Sequence, residues 1–323
     1  MRAISPALVI LAASFGACFH VGSAHAQAAR TFVSSFGSDA NDCSRATPCR
    51  TFQAAHDKTN DQGEITVLDP GGYGALTITK SISVVNDGVG EAGMLVSGGS
   101  TGIFVNAGGP SYVNLRGLTI QGIGFGGSIG LDLHQASFLT IENCVIRNHT
   151  STGLSFFPVS NSSISVLNTL VSDNGGSGII LQSESTGVVV KAALQGVEIY
   201  NNSVHGLWAV ANSPNSEVSA VITDSVAANN GGNGFYASAK AISQPNFAPT
   251  NVWVIHSVSA NNSTGVASDG VDTGFLFLGD SVVTGNQVSW SRTNPAILES
   301  FVDNYIIGNF DGDPAPPIHI PLK

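Results

Sequence analysis

Charged side chains are scarce in this chain of 323 residues: they make up 11% of the sequence, against 42% hydrophobic residues. Disordered chains show the opposite balance, so the composition favours a folded protein with a continuous core. Basic residues are fewer than acidic ones, 12 Lys and Arg against 22 Asp and Glu. This negative balance disfavours nucleic acid as a partner. A polyanionic polysaccharide would need a local basic groove or a bridging calcium ion.

Long apolar runs are also missing. The longest, from Ala7 to Phe19, is too short to span a membrane, so no membrane insertion is expected. It follows Arg2 and precedes the small residues at Ala24 and Ala26, which is the pattern of a secretory signal peptide over residues 1–26. Cleavage before Gln27 would leave 11 basic residues against 22 acidic ones, a net charge of −11. We expect a secreted or periplasmic protein.

Cysteine is sparse, with four residues in all. Cys18 would leave with the signal peptide. Cys43 and Cys49 bracket a short loop that an oxidising compartment would close as a disulfide, with two free thiols as the alternative. Cys144 is expected to be buried, where a thiol acts as a small hydrophobe. No Cys or His spacing is typical of zinc, so we predict no metal and no cofactor.

A repeat fills most of the remaining chain. An apolar residue, a second one four positions later and an Asn eight positions later recur at Val166/Leu170/Asn174, Ala193/Val197/Asn201, Ile222/Val226/Asn230, Val254/Val258/Asn262, Leu278/Val282/Asn286 and Phe301/Tyr305/Asn309. The Asn-to-Asn steps are 27, 29, 32, 24 and 23 residues, which indicates a solenoid. Apolar residues alternate with period two, so each coil is predicted to contain three short strands and no helix. The fold class predicted is therefore all-β: a parallel β-helix.

The third strand of each coil follows a Gly, and two columns of this strand are predicted to point inward. The first column is Leu131, Leu154, Ile179, Leu207, Phe235 and Phe275, and the second is Leu133, Phe156, Leu181, Ala209, Ala237 and Phe277. Two residues after the first apolar position stand Asn143, Asn168, Gln195, Asp224, His256, Asp280 and Asp303. We expect this polar column to form a hydrogen-bonded ladder at a bend. The alternative for Asp224, His256 and Asp280 is a proton relay.

The opening of the mature chain differs from the repeat. Thr31-Phe-Val-Ser is followed by Pro48-Cys-Arg-Thr-Phe-Gln-Ala-Ala, Glu64-Ile-Thr-Val-Leu and Gly71-Gly-Tyr-Gly. This opening, together with the coil repeat, resembles the secreted bacterial proteins of the pectate-lyase-like superfamily. The resemblance implies a single-stranded right-handed parallel β-helix whose first coil is capped by a strand and a short helix. In this chain Arg50 to Lys58 would be that helix, presenting Phe52 and Ala55 to the core.

The domain organisation predicted is one solenoid. Residues 27–74 form the cap and first strands, 75–310 the coils and 311–323 a closing tail. Loops are expected at Ala211 to Glu217, Lys240 to Thr250 and Ser263 to Thr273. In the superfamily such loops border the outward face of the Gly-led strand, where carbohydrate lies. The resemblance therefore directs attention to that face.

The outward positions of the Gly-led strand form two columns. The first is Phe104, Asp132, Ser155, Ile180, Trp208, Tyr236 and Leu276, and the second is Asn106, His134, Phe157, Gln182, Val210, Ser238 and Leu278. Trp208, Tyr236, Phe157 and Gln182 are the predicted substrate-binding residues, because exposed aromatic rings pack against sugars. The alternative is that Trp208 and Tyr236 form a small core beneath the neighbouring loops.

Catalytic residues are harder to find. The strip carries one carboxylate, whereas a glycoside hydrolase needs two. The Asn-Thr-Asp, Asp-Asp and Gly-His-Gly motifs of polygalacturonases are absent, and Trp253-Val-Ile-His256 only partly matches the Trp-Ile-Asp-His of pectate lyases. Asp132 and His134 are the weak candidates, with Glu142 and Arg147 on the same coil; a solvated polar patch is the alternative. Asp311-Gly-Asp313 is expected to be a plain turn.

Three functions remain open from the sequence. The preferred one is binding of polysaccharide or cell-envelope glycan on the outward face of the Gly-led strand, without a recognisable catalytic set. The second is a polysaccharide lyase or glycoside hydrolase with an atypical site at Asp132 and His134. The third is a structural or adhesive surface protein.

Overall fold

The computed structural model describes residues 28–122, 126–239, 248–270, 273–293, 295–316 and 319–320. The predicted signal peptide and most of the predicted loop from Lys240 to Thr250 lie outside this part of the chain. The described residues form three parallel sheets that wind into a solenoid of short strands with one short helix.

The chain begins with β1 (Ala28–Val33) and helix α1 (Phe52–Lys58), followed by β2 (Thr59–Val67), β3 (Gly71–Gly72), β4 (Leu76–Ile78), β5 (Ile82–Val85), β6 (Ala92–Leu95), β7 (Thr101–Asn106), β8 (Tyr112–Arg116) and β9 (Leu118–Gln121). The central strands are β10 (Ile129–Gln135), β11 (Phe138–Glu142), β12 (Val145–Arg147), β13 (Leu154–Phe156), β14 (Ser162–Leu167), β15 (Leu170–Ser172), β16 (Ile179–Ser183), β17 (Val189–Gln195), β18 (Glu198–Tyr200), β19 (Leu207–Ala211) and β20 (Glu217–Thr223). The last are β21 (Val226–Ala228), β22 (Asn233–Ala239), β23 (Thr250–Ile255), β24 (Val258–Ala260), β25 (Thr264–Asp269), β26 (Gly274–Gly279), β27 (Val282–Thr284), β28 (Val288–Arg292), β29 (Ile297–Phe301), β30 (Tyr305–Ile306) and β31 (His319–Ile320).

Each coil contributes one strand to each sheet. Within the described residues, sheet A has the order β1-β2-β5-β8-β11-β14-β17-β20-β23-β26-β29-β31, sheet B the order β3-β6-β9-β12-β15-β18-β21-β24-β27-β30, and sheet C the order β4-β7-β10-β13-β16-β19-β22-β25-β28. The Gly-led strands are those of sheet C. The predicted three-strand coil is thus confirmed.

The core is a set of apolar columns that run along the solenoid. In sheet C the predicted inward residues Leu131, Leu154, Ile179, Leu207 and Phe235 are all fully buried, as are Leu133, Phe156, Leu181, Ala209 and Ala237. Side chains of successive coils in a column meet at the strand spacing of about 4.8 Å, so one continuous core serves all coils.

The turn between sheets B and C is stabilised by a ladder of buried Asn side chains. The bonded column is Asn174, Asn202, Asn230, Asn262, Asn286 and Asn309, and each amide oxygen from Asn202 onward accepts from the Asn side chain of the preceding coil. The steps between them are 28, 28, 32, 24 and 23 residues. The sequence repeat placed Asn201 in this column, and that prediction was wrong by one residue, because Asn202 makes the bonds. Asn201 instead has a φ of 56°, a left-handed conformation that Asn adopts at low cost.

The bend between sheets A and B is built differently from the prediction. Asn143, Asn168, Asp224, His256 and Asp280 have a left-handed φ at this bend, but in the coil that contains Gln195 the next residue, Gly196, takes that conformation. Inter-coil bonds run mainly through the hydroxyl column one residue later: Ser225 N–H donates to Ser257 Oγ at 3.2 Å, and Ser257 N–H donates to Ser281 Oγ at 3.1 Å. Buried hydroxyls thus satisfy the backbone donors that the bend leaves unpaired.

The amino-terminal end is capped as predicted. Helix α1 begins after Thr51, whose side chain accepts from Ala54 N–H, and it buries Phe52 and Ala55. The Phe52 ring packs on Tyr73 with a centroid distance of 5.0 Å. Cys43 and Cys49 are joined by a disulfide with a Cα–Cα distance of 4.6 Å. The cap covers apolar side chains and strand edges that the first coil would otherwise expose.

The carboxyl end is less completely covered. Strand β31 of the tail pairs with β29 and adds a last strand to sheet A, and the Trp290 indole N–H donates to Pro314 O at 2.7 Å. In and around β30, the last strand of sheet B, exposed apolar residues remain: Val302, Tyr305, Ile307 and Phe310.

Candidate functional site

The outward face of sheet C carries the predicted site residues in one register. The strand pairs align Phe104, Asp132, Ser155, Ile180, Trp208 and Tyr236 in a single column. At about 4.8 Å per coil, these five steps span about 24 Å, the length of a short oligosaccharide rather than of one sugar. The column therefore forms a continuous strip across six coils.

The column continues differently from the prediction at its carboxyl end. The residue that follows Tyr236 is Ala267, not Leu276. Gly274 opens strand β26 of sheet A, in which Leu276 and Leu278 are buried and Phe275 and Phe277 face outward. The Gly that leads the sheet C strand of this coil is Gly265, and the region predicted as a loop from Ser263 to Thr273 contains β25. The prediction failed because β25 and β26 follow each other in the sequence and each has a Gly followed by an apolar residue at or near its start.

Trp208 and Tyr236 lie side by side on adjacent strands. Their ring centroids are 6.2 Å apart with an interplanar angle of 14°, and the His205 ring packs against both at 5.9 and 5.0 Å. Both rings are half-buried. The Trp208 indole donates to Ser238 Oγ at 2.7 Å, and the Tyr236 hydroxyl donates to Asp269 Oδ2 at 3.2 Å. Burial and the Asp269 charge raise the pKa of Tyr236 to about 12. The polar ends of both rings are thus fixed by the protein, while part of the surface of each side chain remains accessible.

His205 completes this cluster as a neutral side chain. Burial lowers its pKa, and its Nδ1 accepts from Asn233 N–H at 3.0 Å. In the neutral ring that carries a proton on only one nitrogen, this places the proton on Nε2. His205 is therefore a hydrogen-bond donor beside two aromatic rings. The sequence analysis did not select it, because it precedes the Gly that defines the strand.

The second predicted pair, Asp132 and His134, lies on the same face, three coils from Trp208 and four coils from Tyr236. Burial raises the pKa of Asp132, and the charge of Glu184 adds to this, whereas the charge of His134 and the Ser155 hydroxyl, which donates to Oδ1 at 3.1 Å, lower it in part. The His134 ring stacks on Phe104 with a centroid distance of 6.1 Å. Glu142 and Arg147 end strands of sheets A and B, so they do not join this group.

Glu184 is a second carboxylate that the sequence analysis missed. It is exposed in the turn after β16, and the Gln182 amide donates to its Oε1 at 2.5 Å. Gln182 itself is buried, so it supports Glu184 from behind, and Phe157 is half-buried beside β13. A residue in a turn after a strand has no fixed place in the coil pattern, so no periodic signal marks Glu184.

A model of the family described as "right handed beta helix region" matches residues 65–213 and 101–282 of this chain. These matches cover more than half of the sequence. The chain belongs to the right-handed β-helix family.

Solved structures resemble this β-helix at low sequence identity. Pectate lyase Pel9A matches with a TM-score of 0.57 and 18% identity, covering 83% of this chain and 78% of its own. A rhamnogalacturonan lyase matches with a TM-score of 0.53 and 13% identity, covering 84% and 81%. A comparison with curated protein sequences gave no match. At these identities the likeness concerns the fold.

Elsewhere on the β-helix, the bend between sheets A and B holds an ionic group. His256 Nδ1 lies 2.5 Å from Asp224 Oδ1, and the Gln195 amide donates to Asp224 Oδ2 at 3.2 Å. Asp224 and His256, with Asp280 and Tyr305, line a shallow groove of about 440 Å³. The hydrogen bond from His256 lowers the pKa of Asp224, and the same bond, with the charges of Asp224 and Asp280, raises the pKa of His256. The ladder interpretation holds for Gln195, Asp224 and His256.

The attraction between Asp224 and His256 is expected to depend on pH. The Asp224–His256 attraction requires an ionised Asp224 and a protonated His256, so it weakens above the raised pKa of His256 and below the lowered pKa of Asp224. In an NMR titration of the imidazole protons, we expect a His256 pKa above the ordinary value of about 6.5. Asp224→Asn should lower it, and Asp280→Asn should lower it less. Equal pKa values in the wild type and Asp224→Asn would contradict the ion pair.

Sheet A carries a second aromatic pair that the sequence analysis did not select. Tyr112 and Phe138 stack with a centroid distance of 4.8 Å and an interplanar angle of 4°, and both are exposed. They lie on another face from the strip of sheet C. This pair is therefore a matched comparison for Trp208 and Tyr236.

The structure also bears on two other features, a metal site and a membrane-spanning helix. Among the described residues, no group of three or more His, Cys, Asp or Glu side chains is arranged to hold a metal ion. No helix in this part of the chain has the length and hydropathy needed to cross a membrane.

Proposed function

We propose that this β-helix protein binds a polysaccharide or cell-envelope glycan along the outward face of sheet C. The observation that carries this proposal is the near-parallel pair of Trp208 and Tyr236, half-buried and in one column with Asp132 and Ser155 on a strip that spans six coils. Aromatic faces pack on the apolar faces of sugar rings, while hydroxyl, amide and carboxylate groups along the strip bind sugar hydroxyls. The fixed polar ends of both rings reduce the entropy lost on binding.

Two further observations support the proposal. The solved structures with the same fold include a pectate lyase and a rhamnogalacturonan lyase, proteins that act on polysaccharides. The disulfide between Cys43 and Cys49 suits an oxidising compartment. We therefore propose that binding takes place outside the cytoplasm, where the predicted signal peptide would direct the protein.

Removal of both rings tests the proposal directly. Each stacked ring contributes about 1 kcal/mol to binding, so Trp208→Ala combined with Tyr236→Ala should weaken glycan affinity about 30-fold. Affinity is measured by calorimetry on the chain from Gln27 with a panel of neutral, amine-bearing and uronic-acid polysaccharides, with and without calcium. Trp208→Phe, which keeps an aromatic face, should retain most of the affinity.

The matched control is Tyr112→Ala with Phe138→Ala, which removes an aromatic pair from sheet A. This variant should bind as the wild type does. If it loses affinity while the Trp208 and Tyr236 variant keeps it, the glycan lies on sheet A and the proposed face is wrong. If no polysaccharide binds, the glycan-binding proposal fails and a structural or adhesive role of the stack becomes the better explanation.

A second candidate, a polysaccharide lyase or glycoside hydrolase, is favoured by the half-buried Asp132. A carboxyl with a raised pKa is suited to general acid or base catalysis, and Glu184 supplies the second carboxylate that a hydrolase requires. Incubation with each polysaccharide would then release reducing ends or unsaturated products. Turnover that is lost in Asp132→Asn, with binding retained, would establish this candidate, whereas binding without turnover would exclude it for the panel tested.

A further inference from the structure

The strip on sheet C is distinctive in its charge. Its outward side chains and the turns that follow its strands carry three carboxylates between residues 101 and 269, those of Asp132, Glu184 and Asp269. In the described part of these strands and turns there is no Lys or Arg. The first Arg on this sheet is Arg292, on the last strand, β28. His205 is neutral because burial lowers its pKa.

This balance is unfavourable for an anionic glycan. A carboxylate on each sugar would face fixed carboxylates of the same sign, in a half-buried strip where water screens charge less than at an open surface. The protein as a whole adds to the repulsion, because 22 acidic residues outnumber 12 basic ones. Calcium bridging would need a suitable ligand group, and the described residues hold no such cluster.

The same balance favours a cation. The charge of Glu184 raises the pKa of Asp132, so these two carboxylates repel each other, although the charge of His134 lowers that pKa. No Lys or Arg lies among the described residues of the strip between residues 101 and 269. A protonated amine placed between them would relieve this repulsion and would satisfy a partly desolvated carboxylate. Asp269 lies at the other end of the aromatic pair, where it accepts from Tyr236 and retains further acceptor positions.

We propose that the glycan bound on sheet C is an amino-sugar polymer with protonated amines, and that polyuronates are rejected. This inference rests on the proposed function, because it specifies the substrate of the same site. The aromatic pair holds the sugar ring, and the carboxylates on either side of it select the amine. The strip thus discriminates against the acidic polymers named for the two lyases of similar fold.

The test compares three oligosaccharides of matched length: a β-1,4-linked glucosamine oligomer, its fully N-acetylated form and an oligogalacturonate. The measurements use the chain from Gln27 at a pH where the amines are protonated. The glucosamine oligomer should bind about fivefold or more tightly than the N-acetylated one, since one half-exposed ion pair contributes about 1 kcal/mol. The difference should shrink at high salt, because the Debye length falls. The oligogalacturonate should bind most weakly.

Charge removal within the strip sharpens the test. Glu184→Gln should abolish most of the preference for the free amine, measured as the ratio of the affinities for the glucosamine oligomer and its N-acetylated form. Glu198→Gln, which removes an exposed carboxylate from sheet B, is the matched control and should leave the preference intact. Equal effects of the two variants would show that only the net charge matters and would overturn the inference.

The remaining outcomes separate this inference from the proposed function. Equal affinity for the amine and N-acetyl oligomers, or tighter binding of the oligogalacturonate, would overturn the inference. If that binding still depended on Trp208 and Tyr236, the proposed glycan site would stand. If none of the three oligomers, and none of the polysaccharides of the wider panel, binds, the proposed function itself fails.

Discussion

Replacement of Asn230 by Ala is expected to lower the free energy of unfolding by about 3 to 5 kcal/mol. The Asn230 amide oxygen accepts from the side chain and the backbone N–H of Asn202 at 3.0 and 3.1 Å. Its amide nitrogen donates to Asn262 Oδ1 at 3.0 Å and to Ile199 O at 3.2 Å. Ala would remove the acceptor of two buried Asn202 donors and the donor to Ile199 O, whereas Asn262 Oδ1 would keep its bond from the backbone N–H of residue 230. A break at this position also separates the ladder into two parts.

The measurement is denaturant unfolding followed by far-UV circular dichroism. The matched control is Asn251→Ala, because Asn251 is half-exposed on the outward face of sheet A rather than in the ladder. Surface replacements of this kind change stability by about 0.5 kcal/mol or less. A similar small effect of Asn230→Ala would show that the ladder does not stabilise the coil stack.

Gly206→Ala should destabilise the protein by about 2 to 3 kcal/mol, although it adds only a methyl group. A Cβ at this position would lie 2.6 Å from the Gly234 carbonyl oxygen, 3.0 Å from Asn230 Nδ2 and 3.2 Å from Ala227 Cβ. The first contact is with the backbone of the next coil, so it is relieved only by moving the two coils apart. That movement would lengthen the inter-coil hydrogen bonds on either side.

Gly72→Ala provides the control for this prediction. An added Cβ at Gly72 meets nothing within 4 Å, and the residue has no left-handed φ. Its unfolding midpoint should remain close to that of the wild type, whereas that of Gly206→Ala should fall in thermal and denaturant experiments. Identical midpoints for the two variants would mean that the coils can separate without cost.

The sequence was sufficient for the parts of the fold that repeat. Asn and Gly occupy the turn between sheets B and C because backbone conformation and close coil contact require them, and the apolar columns follow from alternation. One error arose where the wrong register satisfied the pattern better than the right one. Ala193, Val197 and Asn201 fit it, whereas the register found in the structure has the charged Glu198 between Leu194 and Asn202, and only the pairing between neighbouring coils shows it.

The candidate site was predictable only in part, for a related reason. Trp208 and Tyr236 hold repeating positions, so alternation alone places them on the outward face. Glu184 and Asp269 lie at or beyond the ends of their strands, where loop length differs from coil to coil. Their positions depend on the path of each turn, which no periodicity encodes. The hydroxyl column of Ser225, Ser257 and Ser281 was missed because Ser alone carries no strong structural signal.

The ladder Asn and the Gly that follows it recur in successive coils, so the number of coils can change by one whole coil at a time. Residues 203–230 form one period, and joining Asn202 to Gly231 would preserve the spacing from the ladder Asn to the next inward-facing Gly. In the part of the chain that the structure describes, the cap packs on the first coils and the tail pairs with the last ones. Duplication or loss of a 28-residue unit would therefore lengthen or shorten the outward strip of sheet C without a change to either end. A chain of this kind can change the length of its outward faces by gene-level gain or loss of units rather than by substitution.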